Sequence, residues 1–207
     1  MPKYRLNVSF NESDLRTIYK ANEKVVIVKH TAGNSDSQVA WVSFKPFMEN
    51  TIDWTEDFAV YSSTTNVENG ATINKLSDKD AETKIQYQFL DGIFQNATPM
   101  ASLGDNTYSI SNQMNDYAGL TFGLAQSVNV NGEAFVNHPI NALYLPYGQN
   151  VNMTPIEKVD VYLKADMEEG TVISHISSIV MPIEYKETET THSIMYSGST
   201  GKFIPVN

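Results

Sequence analysis

The dominant hydrophobic rhythm of this chain is two residues. Tyr4, Leu6, Val8 and Phe10 alternate with Arg5, Asn7 and Ser9, the signature of a strand with one buried face. Residues 24–30 carry the continuous run Val25, Val26, Ile27, Val28 and read as a buried strand. In residues 38–47, Val39, Trp41 and Ser43 fall on one face and Ala40, Val42 and Phe44 on the other. The same reading places strands at 57–63, 71–76, 84–90, 93–94, 107–111, 120–126, 140–147, 159–165, 192–196 and 202–204. A long strand is predicted over 171–185, with Pro182 at an edge or bulge. Only residues 11–21 depart from this pattern. There Asn11, Glu12, Ser13 and Asp14 offer helix-capping side chains ahead of Leu15, Ile18 and Tyr19.

Turn chemistry separates these segments. Asn69-Gly70, Asp91-Gly92 and Asn131-Gly132 supply residues suited to positive φ, and Gly33, Asn34, Ser35 and Asp36 form a turn by composition. The charged segment 78–82 reads as a solvated connection, and 96–106 as the best linker. Short strands, frequent turns and one helix predict an all-β fold, an antiparallel, jelly-roll-like sandwich.

The chain also repeats itself. Glu56-Asp57-Phe58-Ala59-Val60-Tyr61 aligns without a gap on Glu157-Lys158-Val159-Asp160-Val161-Tyr162 at an offset of 101. Gly70 and Ile73 are matched by Gly170 and Ile173, and Tyr87, Gly92 and Phe94 by Tyr196, Gly201 and Phe203. A period of about 100 residues suits one small domain rather than a solenoid. Two similar units are therefore expected, residues 1–99 and 104–207. A single pseudo-twofold domain is favoured, since about 100 residues of short strands make a thin core alone.

Composition narrows the function. With 14 basic and 24 acidic residues the chain carries a net charge of −10, which repels phosphate backbones and argues against nucleic-acid binding. It has no cysteine, which excludes disulfides and thiolate-ligated metals. No stretch approaches 18 apolar residues and the N-terminus has no apolar h-region. The expectation is a cytoplasmic site of synthesis without a transmembrane segment, with any release by a non-classical route.

No nucleophile elbow, phosphate-binding loop or dinucleotide fingerprint is present. His30, His138, His175 and His192 lack metal-ligand spacing, and the acidic loops 78–82 and 166–170 do not match a calcium loop. Neither a cofactor nor a metal is expected. Val60-Tyr61 and Val161-Tyr162 occupy matched positions, and outward-facing tyrosines there would form aromatic platforms. The reading is a non-catalytic, lectin-like or toxin-like protein that recognises a carbohydrate or a cell-surface or membrane component. Its ligand-binding residues are Trp54, Tyr61, Tyr144, Tyr147 and Tyr162, and the class rests on fold-level analogy. A self-assembling structural protein, or homo-oligomer, is the first alternative, because Asn, Ser, Thr and Tyr abound and lysines are few. The second is a hydrolase using Asp53, Glu56 or Asp57, set beside Trp54.

Overall fold

The computed structural model describes residues 2–32 and 37–206; the turn expected at 33–36 lies outside them. The described residues form seventeen strands and one helix. β1 (Lys3–Ser9) passes through α1 (Glu12–Lys20) into β2 (Glu23–Ala32) and β3 (Ser37–Phe44). Then follow β4 (Glu49–Thr55), β5 (Phe58–Ser63), β6 (Lys75–Ala81), β7 (Ile85–Leu90) and β8 (Ile93–Pro99). The second half holds β9 (Tyr108–Asn112), β10 (Gly119–Val130), β11 (Glu133–Pro139), β12 (Asn141–Pro146) and β13 (Asn150–Ala165). It closes with β14 (Val172–Ile173), β15 (Met181–Glu184), β16 (Thr191–Ser197) and β17 (Lys202–Pro205). The chain is all-β, with its strands joined in one hydrogen-bonded network. No helix among the described residues is long and apolar enough to cross a membrane.

Two strands organise the network. β10 pairs along one edge with β4 and β5, and along the other with β11 and β12. β2 lies between β3 and β13, and the N-terminal end of β13 runs on to pair with β9. Pairings are antiparallel except β1 with β16 and β7 with β9. Strands from before and after residue 100 pair with one another at several places, among them β1 with β16, β2 with β13, β10 with β4 and β5, and β7 with β9. The principal core includes Leu6, Val8, Val25, Ile27, Ile52, Val60, Phe122, Leu124, Val159 and Val161. Two smaller clusters lie apart from it. One gathers Val39, Ala59, Tyr61, Ala125 and Val172, the other Val26, Val28, Ala40, Tyr162 and Ile173.

The helix lies where its sequence signals place it, with Glu12 and Asp14 in the first turn and Leu15 and Ile18 buried; Asn11 holds the extended N-cap position, but its side chain makes no capping hydrogen bond. Elsewhere the boundaries move. Residues 49–55, left without a strand by the sequence reading, form β4, in which Asn50, Ile52 and Trp54 are buried alternately. The expected connection 78–82 largely belongs to β6, whose charged side chains face outward while its backbone pairs with β5. Of the predicted strand at 71–76, Thr72 makes a single bridge with Thr171, and Lys75 and Leu76 open β6. The long strand expected over 171–185 is broken, because residues 174–180 leave the ladder between β14 and β15. β6 pairs with β5 alone among the described residues, and Lys75, Asp78, Lys79 and Asp80 load it with charge. That charge blunts the exposed edge that self-association would use.

Close approach of two strands depends on Gly123 in β10. A Cβ there would stand 2.3 Å from the Asn141 carbonyl oxygen and 2.6 Å from the Tyr61 ring. Gly123→Ala is expected to lower unfolding free energy by about 1–3 kcal/mol through overpacking. Gly104→Ala, whose Cβ would meet only the Thr107 hydroxyl at 3.3 Å, should be close to neutral. Urea titrations followed by circular dichroism measure both.

Candidate functional site

β2 places Val25, Ile27 and Lys29 on one face by simple alternation, so the third of these is a charged residue directed into the core. Lys29 is 1% exposed. Its ammonium donates to Gln126 Oε1 at 2.7 Å and to both Glu157 carboxylate oxygens at 2.9 Å. The rings of Trp41, Trp54 and Phe58 surround it, with centroids 5.3, 5.5 and 5.3 Å from Nζ, within cation–π range. Three donors, three acceptor contacts and an aromatic wall leave no bonding capacity of the ammonium unused. Burial lowers the Lys29 pKa from the ordinary lysine value, and Glu157 opposes that shift.

Gln126, Trp54 and Phe58 face Lys29 by regular alternation, whereas Trp41 and Glu157 arrive at strand irregularities. In β3 the register shifts opposite Ile27 and Val28, which makes Trp41 the extra residue. Its indole enters the principal core and donates to the Gln126 carbonyl at 3.0 Å. In β13 the register shifts between Ile156 and Val159, so Glu157 and Lys158 are the bulged pair facing Lys29 and His30. Between β10 and β11 the register also shifts, and Val136 and Asn137 of β11 oppose the single Ser127 of β10. β4 gives way to β5 at Glu56 and Asp57, beside that same bulge. Bulges re-aim side chains that a regular ladder would place elsewhere, and two of them deliver Trp41 and Glu157 to the ammonium.

Above this buried centre opens a cleft of about 1070 Å³. Five carboxylates line it: Glu56, Asp57, Asp80, Glu82 and Glu157. Thr55, Thr83, Asn106, Ser127 and Asn137 add hydroxyls and amides, and Phe58, Tyr108, Val136 and Ile156 add apolar wall. Glu157 is pinned by Lys29 and by the Trp54 indole, which donates to Oε2 at 3.1 Å. Glu56 accepts a hydrogen bond from the Tyr4 hydroxyl. Asp57 accepts from Thr55 Oγ1 at 2.7 Å, and Asn137 donates to Asp78 at 2.9 Å. Desolvation pushes the Tyr108 phenol up to about 12, helped by Tyr87, Glu56, Asp57 and Glu157. It raises Tyr4 too, where Glu56 and Glu157 add to it. Glu56 and Glu157, the leading residues of the two matched hexapeptides, therefore line one cleft and share electrostatic neighbours.

The aromatic residues chosen from sequence do not assemble into one site. Trp54 is 3% exposed and lies under the cleft, packed by Tyr4, Trp41 and Tyr185. The outward-facing platform expected at Tyr61 and Tyr162 is overturned by exposures of 0% and 1%. The reason is a cover over each. Residues 70–73 and 170–173 hydrogen-bond to one another, and they bring Ile73 and Val172 into the Tyr61 cluster and Ile173 into the Tyr162 cluster. Tyr144 and Tyr147 are 49% and 50% exposed and take no part in lining the cleft. Of the suggested carboxylates, Glu56 and Asp57 reach the cleft. Asp53 points outside it, bound to Arg5 at 2.7 Å. The sequence reading missed Lys29, Gln126 and Glu157. A lysine in phase with Val25 and Ile27 was the available signal.

No protein-family model, no curated protein and no solved structure matches this chain.

Lys29→Met should destabilise the protein by about 3–5 kcal/mol, since it strands the Glu157 carboxylate. The double change Lys29→Met with Glu157→Met should recover much of that loss, a non-additivity that urea unfolding of the cycle reads directly. Alkaline stability is set by the buried phenols. Tyr4, Tyr108, Tyr162 and Tyr185 all have raised pKa values, each chiefly by desolvation. Their contribution is intact below the unfolded tyrosine value of about 10 and is lost as pH rises toward and through the folded values. Unfolding by circular dichroism should therefore coincide with their phenolate absorbance at 295 nm.

Proposed function

We propose that the chain is a non-catalytic binding protein whose cleft holds a neutral, polyhydroxylated ligand, an oligosaccharide in the first instance. One observation carries the reading. Acceptors reach the cleft from several strands, yet among the described residues no three acidic or histidine side chains are grouped closely enough to hold a metal ion. Acceptors spread along a groove suit a ligand that offers many hydroxyl donors in a row. Carboxylates and amides bind such donors through charge-assisted hydrogen bonds, and Tyr108, Val136 and Ile156 supply apolar surface for the ring faces. A cleft of this sign disfavours anionic sugars.

A second reading, hydrolysis, has its own support. Glu56 and Glu157 come from different strands and flank one cleft, with Glu157 paired to an ammonium and Glu56 to a phenol. Two carboxylates in unlike settings are the minimum for acid–base cleavage of a glycoside.

We further infer that the fold is an antiparallel sandwich of two similar units, roughly 1–99 and 104–207, sharing one core. Phe58 and Val60 face the principal core while Tyr61 faces away, and Val159, Val161 and Tyr162 repeat that arrangement. The antiparallel contact of 70–73 with 170–173 is what a local twofold axis between the copies would produce. Ile73 donates to the Gly170 carbonyl, and Gly70 to that of Val172.

Isothermal titration with neutral hexasaccharides tests the binding reading. Asp57→Asn and Glu82→Gln sit on exposed positions of the rim and should each weaken binding by roughly tenfold, in line with loss of a charged hydrogen bond worth about 1.5 kcal/mol. Unchanged affinity in both would remove the cleft as the site. Release of reducing ends from the same sugars would favour the hydrolytic reading instead.

A further inference from the structure

Eleven tyrosines occur in this chain, and most are committed to the fold. Tyr4, Tyr61, Tyr87, Tyr108, Tyr162 and Tyr185 are buried. Tyr19 donates to the Pro46 carbonyl at 2.5 Å, and Tyr196 packs on Phe10 and Phe203. The remaining three, Tyr117, Tyr144 and Tyr147, are 46%, 49% and 50% exposed. Among the described residues none of the three hydroxyls has a protein hydrogen-bond partner, and none of the three rings stacks on another.

All three occur at one corner. Gly119 pairs with Pro146, and Thr121 with Tyr144, where β10 begins and β12 ends. The Tyr147 amide donates to the Ala118 carbonyl at 3.0 Å, which brings the backbone of Tyr147 beside the segment carrying Tyr117. Leu120 and Leu145 point into the core, so Gly119, Thr121 and Tyr144 belong to the opposite face. A Cβ on Gly119 would stand 2.5 Å from both Cζ and the hydroxyl oxygen of Tyr144. The phenol therefore rests on bare backbone, supported from below and open above. Gly123, two positions further along the same face, supports Tyr61 in the same way, but there the ring is covered.

We propose that Tyr117, Tyr144 and Tyr147 form a stacking platform for a neutral saccharide, separate from the cleft and not dependent on it. An aromatic ring held against backbone, as Tyr144 is over Gly119, offers its open face to the apolar face of a pyranose, while free phenol hydroxyls meet the sugar's hydroxyl groups. Charge selects this occupant over the other surface tyrosines favour, a lipid headgroup. From Ile85 to Glu157 the chain contains neither Lys nor Arg, so the segments that build the platform provide no cation for a phosphate or sulfate. Asn115 and Asp116 precede Tyr117, and Gln149 and Asn150 come shortly after Tyr147.

The test uses the full chain and four neutral hexasaccharides: β-1,4-glucose, α-1,4-glucose, β-1,4-mannose and β-1,4-N-acetylglucosamine. Saturation-transfer NMR and titration calorimetry report binding. One of these sugars is expected to bind. Tyr144→Ala should weaken it by about tenfold, the scale of one aromatic contact, whereas Tyr144→Phe should stay within about threefold because the ring remains. Affinity should not fall between 50 and 500 mM salt, roughly the range over which surface ion pairs are screened. Absence of binding by all four sugars overturns the proposal. So does a bound sugar that is indifferent to combined alanine substitution at 117, 144 and 147. If binding instead tracks Asp57→Asn and Glu82→Gln alone, the platform falls while the cleft reading stands; the converse result does the opposite. Co-sedimentation with phosphatidylcholine vesicles that is lost in the triple variant, without sugar binding, would assign the surface to a bilayer and sink the saccharide proposal.

Discussion

A lysine ammonium set among aromatic rings in the core is the constraint from which the rest of this structure follows. Removing such a charge from water costs several kcal/mol even after relaxation, and only complete coordination offsets that cost. Gln126 supplies one acceptor, Glu157 supplies two, and Trp41, Trp54 and Phe58 supply ring faces. Gln126, Trp54 and Phe58 face Lys29 by ordinary alternation, in phase with Leu124, Ile52 and Val60. Trp41 and Glu157 reach it at register shifts in β3 and β13. Alternation and two irregularities together complete the shell around the ammonium.

The same irregularities create the cleft. A bulge lifts backbone out of the ladder and interrupts the sheet surface, and Ser127, Glu56, Asp57 and Glu157 are the residues at or beside the interruptions. Coordination of Lys29 and the opening above it are thus two sides of one distortion. This ties stability to function. Changes at Lys29, Gln126 or Glu157 bear on the core and on the cleft floor together, whereas Asp57, Asp80 and Glu82 stand on the rim with little bearing on the core. The floor is a neutral ion pair and the rim is anionic, so the cleft's field comes from residues that the fold does not need.

The parts of this architecture legible in sequence were those where period and turn chemistry agree. β1 showed itself in Tyr4, Leu6 and Val8, α1 in the Asn11 cap followed by Leu15 and Ile18, and β10 in Leu120, Phe122 and Leu124. β4 was missed because Asp53, Glu56 and Asp57 draw the eye to charge, although Ile52 and Trp54 alternate as a strand should. β6 was missed for the complementary reason: an edge strand with one pairing partner can be charged at almost every position, and such a segment is indistinguishable by hydropathy from a solvated loop. Tyr61 and Tyr162 were placed on the surface because alternation tells which side of a strand a residue occupies, not whether that side is covered. The cover comes from residues 70–73 and 170–173, whose pairing spans about 100 positions and leaves no local trace. The bulges were illegible for the same reason, since each is defined by a register between distant strands.

The repeat nonetheless pointed toward the site by an unexpected route. Glu56 and Glu157 were noticed only as the leading letters of two similar hexapeptides, and both line the cleft. On the two-unit reading they are equivalent positions brought face to face, and duplication alone would give them the same surroundings. Lys29 breaks that equivalence. Its ammonium contacts both oxygens of Glu157, while Glu56 receives the Tyr4 hydroxyl and no ammonium contact. Two carboxylates that lead similar hexapeptides thereby differ in chemistry, one fixed by a charge and one held by a neutral donor. Such divergence at matched positions is how a duplicated, purely structural motif can come to form an asymmetric site. Here the asymmetry traces to a single residue of β2, the strand against which β13 pairs.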